Sequence, residues 1–241
     1  MKNWNKLADK YEGLQIREDS LDTLVEFPIQ RKLVGNVEGK RILDLACGSG
    51  RKALQLAHEG AAYVLGIDIS ESFISSWDHR EKPAHLAFVQ GDISRLRDVP
   101  ELRDQQFDKV LLFQALTYST NIPGTMADIR ALLPPGGQLV LTTVHPFRFV
   151  VEKQDRLGAA PGDAYRDESF YSFPTIWDPT VTLSHATPMF STVVNAIIKN
   201  GFSIDQVIEP DLSDAQKKKY SHKAQWMAKY FGIIAYDCHA V

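Results

Sequence analysis

The sequence predicts an α/β protein built on a mainly parallel sheet of seven strands with helices on both faces. Short runs rich in Leu, Val and Ile alternate with helical or mixed segments, a pattern typical of β-α-β units. A glycine turn joins the first run to a helix, and two further runs lie near the C-terminus. With 241 residues, the chain is expected to form a single domain over 1–241 with a sizeable core.

Helices are expected before the first strand. Apolar residues at helical spacing would give the N-terminal helix one apolar face: Trp4, Leu7, Ala8 and Tyr11. A second helix is expected from Leu21 to about Val37, and Pro28 would kink or break it.

Seven apolar runs are expected to be strands. The first five are Arg41–Cys47, Ala62–Ile67, Leu86–Gln90, Phe107–Phe113 and Gly137–Val144. Two later runs, Phe202–Ile208 and Phe231–Cys238, are expected to be antiparallel partners near one edge of the sheet. Helices are expected over Pro188–Asn200, which ends on an Asn-Gly pair, and over residues 214–230.

Residues 145–190 have a different composition from the rest of the chain. They hold five of the twelve prolines and eight of the twenty-four aromatic residues, with little periodicity. A long irregular segment inside a compact domain is usually a lid or a binding segment, and aromatic side chains suit a small-molecule pocket. We therefore expect an irregular substrate-binding insert, with a surface excursion that covers the sheet edge as the alternative.

Three aspartates follow one another at intervals of 24 residues: Asp44, Asp68 and Asp92. One strand, one crossover helix and a turn fill about this length, so all three are expected near the carboxyl edge of the sheet, where ligands bind. The alternative is that these aspartates cap the following helices. Capping does not explain Asp44, however, because this residue lies inside an apolar run.

Composition excludes several classes of function. The net charge of −3 gives no general attraction to nucleic acid or to anionic membranes, and Lys217–Lys219 is expected to be a solvated helix face. No apolar run approaches the roughly 20 residues that span a bilayer, and the polar N-terminus does not resemble a signal peptide. Cys47 and Cys238 lack partners at metal-ligand spacing, so neither a metal nor a disulfide is expected. These features favour a cytoplasmic protein.

The turn after the first strand leaves two cofactors open. Gly48-Ser49-Gly50-Arg51-Lys52-Ala53 fits the G-x-G-x-x-A spacing of a dinucleotide site, with Asp68 as the ribose-binding acid, so an NAD(P)-dependent oxidoreductase is one hypothesis. Asp44 favours a cofactor without pyrophosphate, because its charge would repel phosphate but could pair with an ammonium group. Asp92 could accept a hydrogen bond from an adenine amino group. No P-loop motif occurs in the chain.

Five motifs in order resemble the class I S-adenosylmethionine-dependent methyltransferases, in particular the small-molecule branch. They are LDLACGSGRKA, VLGIDIS, FVQGDIS, FDKVLLFQAL and LLPPGGQLVLTT, and they extend from about residue 40 to 145. The resemblance implies a Rossmann-like fold with a helical lid over 1–37 and a cofactor-binding core over 38–144. It further implies an insert over 145–190 after the fifth strand, and C-terminal helices and strands over 191–241. Ala46 departs from the family, which usually has glycine there.

The resemblance also implies a binding site for S-adenosyl-L-methionine, with S-adenosyl-L-homocysteine as the product. Asp44 would lie near the methionine amino group, and Asp68 would bind the ribose hydroxyls. The other implied contacts are with the turn backbone at Ala46, Gly48 and Gly50, with adenine at Ile69, Asp92 and Ile93, and with the methionine part at Gln114 and Ala115. Tyr11 on the lid helix could close over the sulfonium, or it is an ordinary residue of the apolar face.

The reaction requires placement of a nucleophile in line with the activated methyl group, and a base where that nucleophile is protonated. His145, directly after the fifth strand, is the first candidate base, although it could be an ordinary turn residue. Tyr118 and His185 are further candidates, whereas Cys47 is expected to be a packing residue. The aromatic insert and the acidic net charge favour a small, aromatic or apolar acceptor that is methylated on O or N.

Two alternatives to this function remain. One is the oxidoreductase that uses the same turn, and the other is a cofactor-binding or protein-interaction module without catalysis. The enzyme is expected to act as a monomer or homodimer, without nucleic acid, membrane or metal.

Overall fold

The computed structural model describes residues 2–175 and 177–241, without the side chains of Lys2 and Asp9. Met1 and Ile176, which belong to the expected lid and insert, lie outside the described residues. The strands are β1 Arg41–Leu45, β2 Tyr63–Asp68, β3 Leu86–Gln90, β4 Lys109–Phe113, β5 Gln138–Val144, β6 Tyr171–Pro174, β7 Thr182–His185, β8 Phe202–Ile208 and β9 Ile233–Ala240.

Seven of these strands form one sheet in the order β3-β2-β1-β4-β5-β9-β8. Strand β9 is antiparallel to both of its neighbours, β5 and β8, while the other pairs are parallel. This confirms the expected Rossmann-like sheet and the antiparallel pairing of the two C-terminal strands. The order reverses between β1 and β4, which is the point where ligands bind in open α/β sheets.

The helices are α1 Lys2–Gln15, α2 Phe27–Val34, α3 Arg51–His58, α4 Glu71–Ser75, α5 Ile122–Ala131, α6 Pro146–Leu157, α7 Pro161–Arg166, α8 Phe190–Lys199, α9 Asp214–Lys219 and α10 Ser221–Tyr230. They cover both faces of the sheet, which explains why its central strands are almost continuously apolar. On β1, Leu43 and Leu45 pack in the core cluster that contains α5 and α8 residues. Ile42 packs in the opposite cluster, against α2 and α3.

The helix around Pro28 continues through the proline instead of breaking there. Residues Asp22–Glu26 form a π-helical turn, and the N–H group of Phe27 donates to the carbonyl of Asp22, five residues earlier. Proline lacks an N–H group, and its ring clashes with the carbonyl four residues earlier in a regular helix. The wider π turn accommodates Pro28 near the start of α2, which ends at Val34 and therefore before the expected Val37.

Among its described residues, all but Ile176, the segment 145–190 contains regular secondary structure, so the expectation of an irregular insert is wrong. It forms α6, α7 and an antiparallel hairpin of β6 and β7. Pro146 and Pro161 are the first residues of α6 and α7, a position where the missing N–H group costs nothing and the fixed φ favours the helix. These prolines start helices, whereas their number in the sequence suggested irregular structure.

The expected helix over residues 214–230 is divided into α9 and α10. Tyr220 separates them, with a φ of −117° and a ψ of 60°. Ser213 begins α9 with a capping box, because its hydroxyl accepts from the N–H group of Gln216 while the Gln216 side chain accepts from the N–H group of Ser213.

The turn between β1 and α3 contains three residues with positive φ at alternate positions. These are Ala46 at 55°, Gly48 at 57° and Gly50 at 73°. A Cβ atom at Gly50 would lie 2.4 Å from the Phe88 ring and 2.8 Å from Nε1 of Trp77, whereas a Cβ atom at Gly48 would meet nothing within 4 Å. Close packing of the turn against β3 therefore requires glycine at position 50.

Substitution of the two turn glycines by alanine separates backbone strain from steric overlap. Gly48→Ala introduces only the left-handed conformation and should cost about 1–2 kcal/mol of unfolding free energy. Gly50→Ala adds overlap with Phe88 and Trp77 and should cost a further 1–3 kcal/mol or so. Urea denaturation of the ligand-free proteins measures both values, and equal costs would contradict the steric argument.

Candidate functional site

A cleft opens at the carboxyl ends of β1 and β4, between the N-terminal helices and the glycine turn. The cleft is open to solvent on one side. The N-terminal segment contributes Tyr11, Glu12, Gln15, Asp22 and Glu26 to its wall. The core contributes Asp44, Ala46, Cys47, Gly48, Ser49, Arg51, Lys52, Phe113 and Gln114. The structure thus brings Tyr11, Asp44, Ala46, Gly48 and Gln114 of the expected site residues to one cavity.

Asp68 at the end of β2 holds the glycine turn in place. Its Oδ2 accepts from the N–H group of Gly48 at 2.8 Å, and its Oδ1 accepts from the N–H group of Ser70 at 2.8 Å. Burial raises the pKa of Asp68, while these backbone hydrogen bonds oppose the shift. The carboxylate is therefore fixed between the turn and the start of α4.

Asp44 is a buried carboxyl that faces the cleft from inside β1. Only 3% of the residue is exposed, and burial raises its pKa to about 7, opposed by the nearby Lys52 ammonium. Among the described residues, no hydrogen bond or ion pair to this carboxylate is formed. A cationic group in the cleft would therefore gain a strong electrostatic partner.

The expected adenine contacts lie at the ends of β2 and β3 and do not line the cleft. Asp92 caps the following 3₁₀ segment, because its Oδ1 accepts from the N–H group of Ser94 at 2.8 Å. Ile93 is buried in the core and Ile69 is half-buried. Capping and ligand binding are compatible at Asp92, because a carboxylate has two oxygens.

Gln114 at the end of β4 has a φ of 56°, which is unusual for a residue other than glycine. Its Oε1 is buried without a hydrogen-bond partner. The neighbouring Ala115 packs in the core and does not face the cleft. Backbone strain and an unsatisfied polar atom coincide here, as they often do at functional sites.

Asp22 forms salt bridges with two cations that border the cleft. Its carboxylate oxygens accept from Arg51 at 2.6 Å and from Lys52 at 2.6 Å. The Lys52 ammonium also donates to Gln30, whose amide donates to Thr142 on β5. This polar network joins the N-terminal helices to the first turn of α3 and to the centre of the sheet.

Glu26 lies in the same cleft without a salt bridge to any described residue. Burial is the largest cause of its raised pKa, and the Asp22 carboxylate adds to the shift. Lys52, a hydrogen-bonding interaction with the Gln114 side chain and Arg148 oppose it.

An aromatic cluster connects α1 with the insert. It consists of Trp4, Tyr11, Phe73, Tyr118 and Trp177, with ring centroids 4.9–6.5 Å apart. Tyr11 also lines the cleft, and burial raises the pKa of its phenol. The cluster joins four parts of the chain, and Tyr11 is its member at the cleft wall.

His145 lies outside the cleft wall and caps the start of α6. Its Nδ1 accepts from the N–H group of Phe147 at 3.2 Å, and its Nε2 donates to Glu209 at 3.0 Å. The ring stacks on Phe231. Both ring nitrogens are thus used in local contacts, and the expected role of His145 as a base stays a prediction.

His185 of the insert lies beside Tyr118, which follows β4, and their ring centroids are 5.8 Å apart. Nδ1 of His185 donates to the carbonyl of Ala186 at 2.9 Å. Burial lowers the pKa of His185 and raises that of Tyr118. Both side chains are therefore neutral at pH 7.

Cys47 also faces the cleft, and burial raises its pKa well above the usual range of a thiol. Neither Cys47 nor Cys238 forms a disulfide. In the part of the chain that is described, no group of three His, Cys, Asp or Glu side chains could hold a metal ion. No helix there is long and apolar enough to cross a membrane.

Sequence reasoning missed five charged residues of the cleft: Glu12, Asp22, Glu26, Arg51 and Lys52. Asp22 and Glu26 lie four residues apart in a largely apolar stretch, and this spacing could have indicated a helix with a polar face that is buried. Arg51 and Lys52 follow the glycine turn directly, but their pairing with Asp22 joins residues 29 and 30 positions apart.

Comparison with known proteins identifies the family. A family model for the methyltransferase domain matches residues 36–229, most of the chain. The chain is 27% identical to a Haemophilus influenzae protein without an assigned function, over 85% of this chain and 83% of that protein. It is 29% identical to a ubiquinone biosynthesis O-methyltransferase of Neisseria meningitidis, over 46% of each.

A solved structure shares the fold. The S-adenosylmethionine-dependent methyltransferase of Mesorhizobium loti superposes with a TM-score of 0.68 at 23% identity, over 89% of this chain and 97% of that one. The family match decides between the two cofactors that the glycine turn left open and gives no support to an oxidoreductase. With its Rossmann-like sheet and the glycine turn at the cleft, the chain belongs to the class I S-adenosylmethionine-dependent methyltransferases.

Proposed function

We propose that this methyltransferase acts on an O or N atom of a small aromatic or apolar metabolite. The aromatic side chains around Tyr118 and His185 support this acceptor class. The buried Asp44 carboxylate, which faces the cleft without an ionic partner, supports S-adenosylmethionine as the cofactor. It suits a cofactor with an ammonium group and disfavours a pyrophosphate, because a second negative charge beside a desolvated carboxylate is strongly repelled.

The residues present fit S-adenosylmethionine. Asp44 would pair with the methionine ammonium, and the Gly48 backbone leaves the cleft free of a side chain there. Asp68 would hold the ribose hydroxyls, while Asp92 and the half-buried Ile69 would border the adenine. When bound, the cofactor supplies a methyl group on a positively charged sulfur, which is already activated for transfer.

The N-terminal helix would act as a lid over this site. Tyr11 lines the cleft and contacts Trp177 of the insert, with ring centroids 4.9 Å apart. In addition, Asn5 Oδ1 accepts from the Ser70 hydroxyl at 2.8 Å, next to the end of β2. These contacts would exclude water from the reacting groups.

The insert would bind the acceptor. His185 of its hairpin lies between Phe173 and Tyr118. The ring centroid of His185 is 4.9 Å from that of Phe173 and 5.8 Å from that of Tyr118. Tyr118, which stays protonated, would donate a hydrogen bond to the acceptor, and the neutral His185 would accept one. The name of the ubiquinone biosynthesis relative supports an acceptor that is both aromatic and apolar.

Calorimetry with S-adenosylhomocysteine tests the proposal. Wild type should bind it, and Asp68→Ala should weaken binding by roughly 10- to 100-fold, because about 1.5–3 kcal/mol of charged hydrogen bonding is lost. Asp68→Asn, which preserves the shape of the side chain, should lose less. Tight binding of NADH without a response to S-adenosylhomocysteine would contradict the function, whereas an unchanged Asp68→Ala would contradict only the role of Asp68 in ribose binding.

We expect the ligand-free wild-type protein to lose stability as the pH rises because Asp44 ionises, and we expect Asp44→Asn to abolish this pH dependence. In the unfolded chain an Asp has a pKa of about 4, and burial raises the pKa of Asp44 in the folded protein to about 7. The neutral carboxyl therefore stabilises the folded state at low pH, and this advantage disappears as the pH rises through about 7.

Near pH 8 the unliganded Asp44→Asn protein should be more stable than wild type by up to about 4 kcal/mol. This value is the difference between the folded and the unfolded pKa of Asp44, converted at about 1.4 kcal/mol for each unit of pKa. Near pH 4, where Asp44 is neutral in wild type, the difference should be small. Urea denaturation across this range measures both proteins, and a difference that is independent of pH would contradict the assignment. The variant should also bind S-adenosylhomocysteine more weakly.

A further inference from the structure

Helix α1 contacts two different parts of the molecule with its two sides. Because a helix has about 3.6 residues per turn, residues spaced by three, four or seven share a side. The side that faces the insert hairpin, residues 171–185, carries Asn3, Trp4, Leu7 and Lys10. The opposite side, next to α4 and the cleft, carries Asn5 and Glu12. The helix therefore joins the insert to the wall of the cofactor site.

The contact of α1 with the insert hairpin is largely apolar. Leu7 is fully buried and packs against Val181 and Leu183. The Asn3 side chain adds a hydrogen bond, because its Nδ2 donates to the carbonyl of Thr182 at 2.7 Å. Separation of α1 from the hairpin would expose this leucine and its two apolar neighbours to water, which is unfavourable.

The contact of α1 with α4 is smaller and mainly polar. Oδ1 of Asn5 accepts from the Ser70 hydroxyl at 2.8 Å and from the N–H group of Ser72 at 3.5 Å. Tyr11 meets Phe73 edge-on, with ring centroids 6.5 Å apart. Water can replace both hydrogen bonds of Asn5, so separation here costs less than separation from the hairpin. We call the contact of Asn5 with Ser70 and Ser72 the latch.

The insert hairpin is itself fixed to the core of the protein. The N–H group of Ala186, directly after β7, donates to the carbonyl of Thr117 at 2.7 Å. The buried Lys153 ammonium of α6 donates to the Thr187 hydroxyl at 2.8 Å and to the Asp167 carboxylate at 3.0 Å. Because Asp167 precedes β6 and Thr187 follows β7, both ends of the hairpin are held. The hairpin can therefore support α1 while the other side of that helix moves.

The path of the cofactor passes beneath the latch. The cleft wall includes Asp44 but not Asp92, which lies beyond the end of β3. Between them, Asp68 is only 7% exposed, and its Oδ1 accepts from the N–H group of Ser70, whose hydroxyl donates to Asn5. A cofactor that extends from Asp44 to Asp92 must pass Asp68, so α1 has to move away from α4 to admit it.

We propose that α1 opens on its α4 side while it stays bound to the insert hairpin, so that the hairpin is the fixed support of a hinged lid. The latch breaks when the cofactor enters, and the packing of Leu7 on the hairpin persists. This proposal rests on the lid and the cofactor site proposed above, and it adds which contact opens and which one stays.

Two matched cross-links test the proposal through the binding of S-adenosylhomocysteine. Asn5→Cys with Ser72→Cys would connect α1 to α4, and Asn3→Cys with Thr182→Cys would connect α1 to the hairpin. In each pair the asparagine side chain already contacts the backbone of its partner. A short bis-methanethiosulfonate reagent joins the two thiols, intact mass confirms the link, and dithiothreitol releases it. Each reduced protein should bind S-adenosylhomocysteine as wild type does.

The link to α4 should lower the association rate constant of S-adenosylhomocysteine by about tenfold or more, because α1 then cannot open. The link to the hairpin should leave this constant within about threefold of the value for the reduced protein. Stopped-flow tryptophan fluorescence measures both, and wild type treated with the same reagent controls for reaction at Cys47. Equal slowing by both links, slowing by neither, or slowing only by the link to the hairpin would overturn the proposal.

Two asparagine variants provide a second readout without cross-links. Asn5→Ala removes the latch and should raise the association rate constant by about fivefold, because the hydrogen bonding that keeps α1 closed is lost. Asn3→Ala removes one hydrogen bond on the hairpin side and should change the constant by less than about twofold. An equal change in the two variants would also overturn the proposal. If wild type failed to bind S-adenosylhomocysteine, the proposed function would be wrong, whereas intact binding with the wrong pattern of rates would reject the hinged lid alone.

Discussion

The left-handed turn between β1 and α3 is the constraint on which the site depends. Three positive φ values at alternate positions reverse the chain within a few residues, so that α3 starts directly above the strand end. The turn can pack against Phe88 and Trp77 only because position 50 lacks a side chain. Asp68 then fixes it through the N–H group of Gly48. The conformation of this one turn thus determines the cleft wall, the direction of α3 and the orientation of Asp68.

Ala46 shows how far this constraint tolerates a side chain. A left-handed alanine costs about 1–2 kcal/mol relative to a relaxed one, yet Ala46 adopts a φ of 55° and packs against the core. The family resemblance suggested glycine at this position, and the conformation explains why glycine is suitable there. Alanine is small enough for the cleft to remain open, so the departure affects strain and not the shape of the site.

Much of the sheet could be predicted from the sequence, because each strand is a local apolar run and each boundary is close to a turn residue. The positions of Asp44, Asp68 and Asp92 near one edge of the sheet were predicted by the same logic, since parallel strands end at one edge. The other expected cofactor contacts came from the family resemblance. The helices and the hairpin inside the insert were not predicted, because its high proline content indicated irregular structure, whereas Pro146 and Pro161 begin helices. The pairing of Asp22 with Arg51 and Lys52 depends on tertiary structure, and no local pattern reveals it.

The charge distribution of the cleft follows from that pairing. Asp22 accepts from the Arg51 guanidinium and the Lys52 ammonium, so both cations nearest the turn already have a hydrogen-bond partner before any ligand binds. Asp44 and Glu26 have no such compensation, and burial raises the pKa of both. If Arg51 and Lys52 were instead directed at Asp44 and Glu26, the cleft would have no electrostatic reason to select a cation. The π turn before Pro28 positions Asp22 and Glu26 on the cleft side together, so a local adjustment to one proline shapes the chemistry that the site can perform.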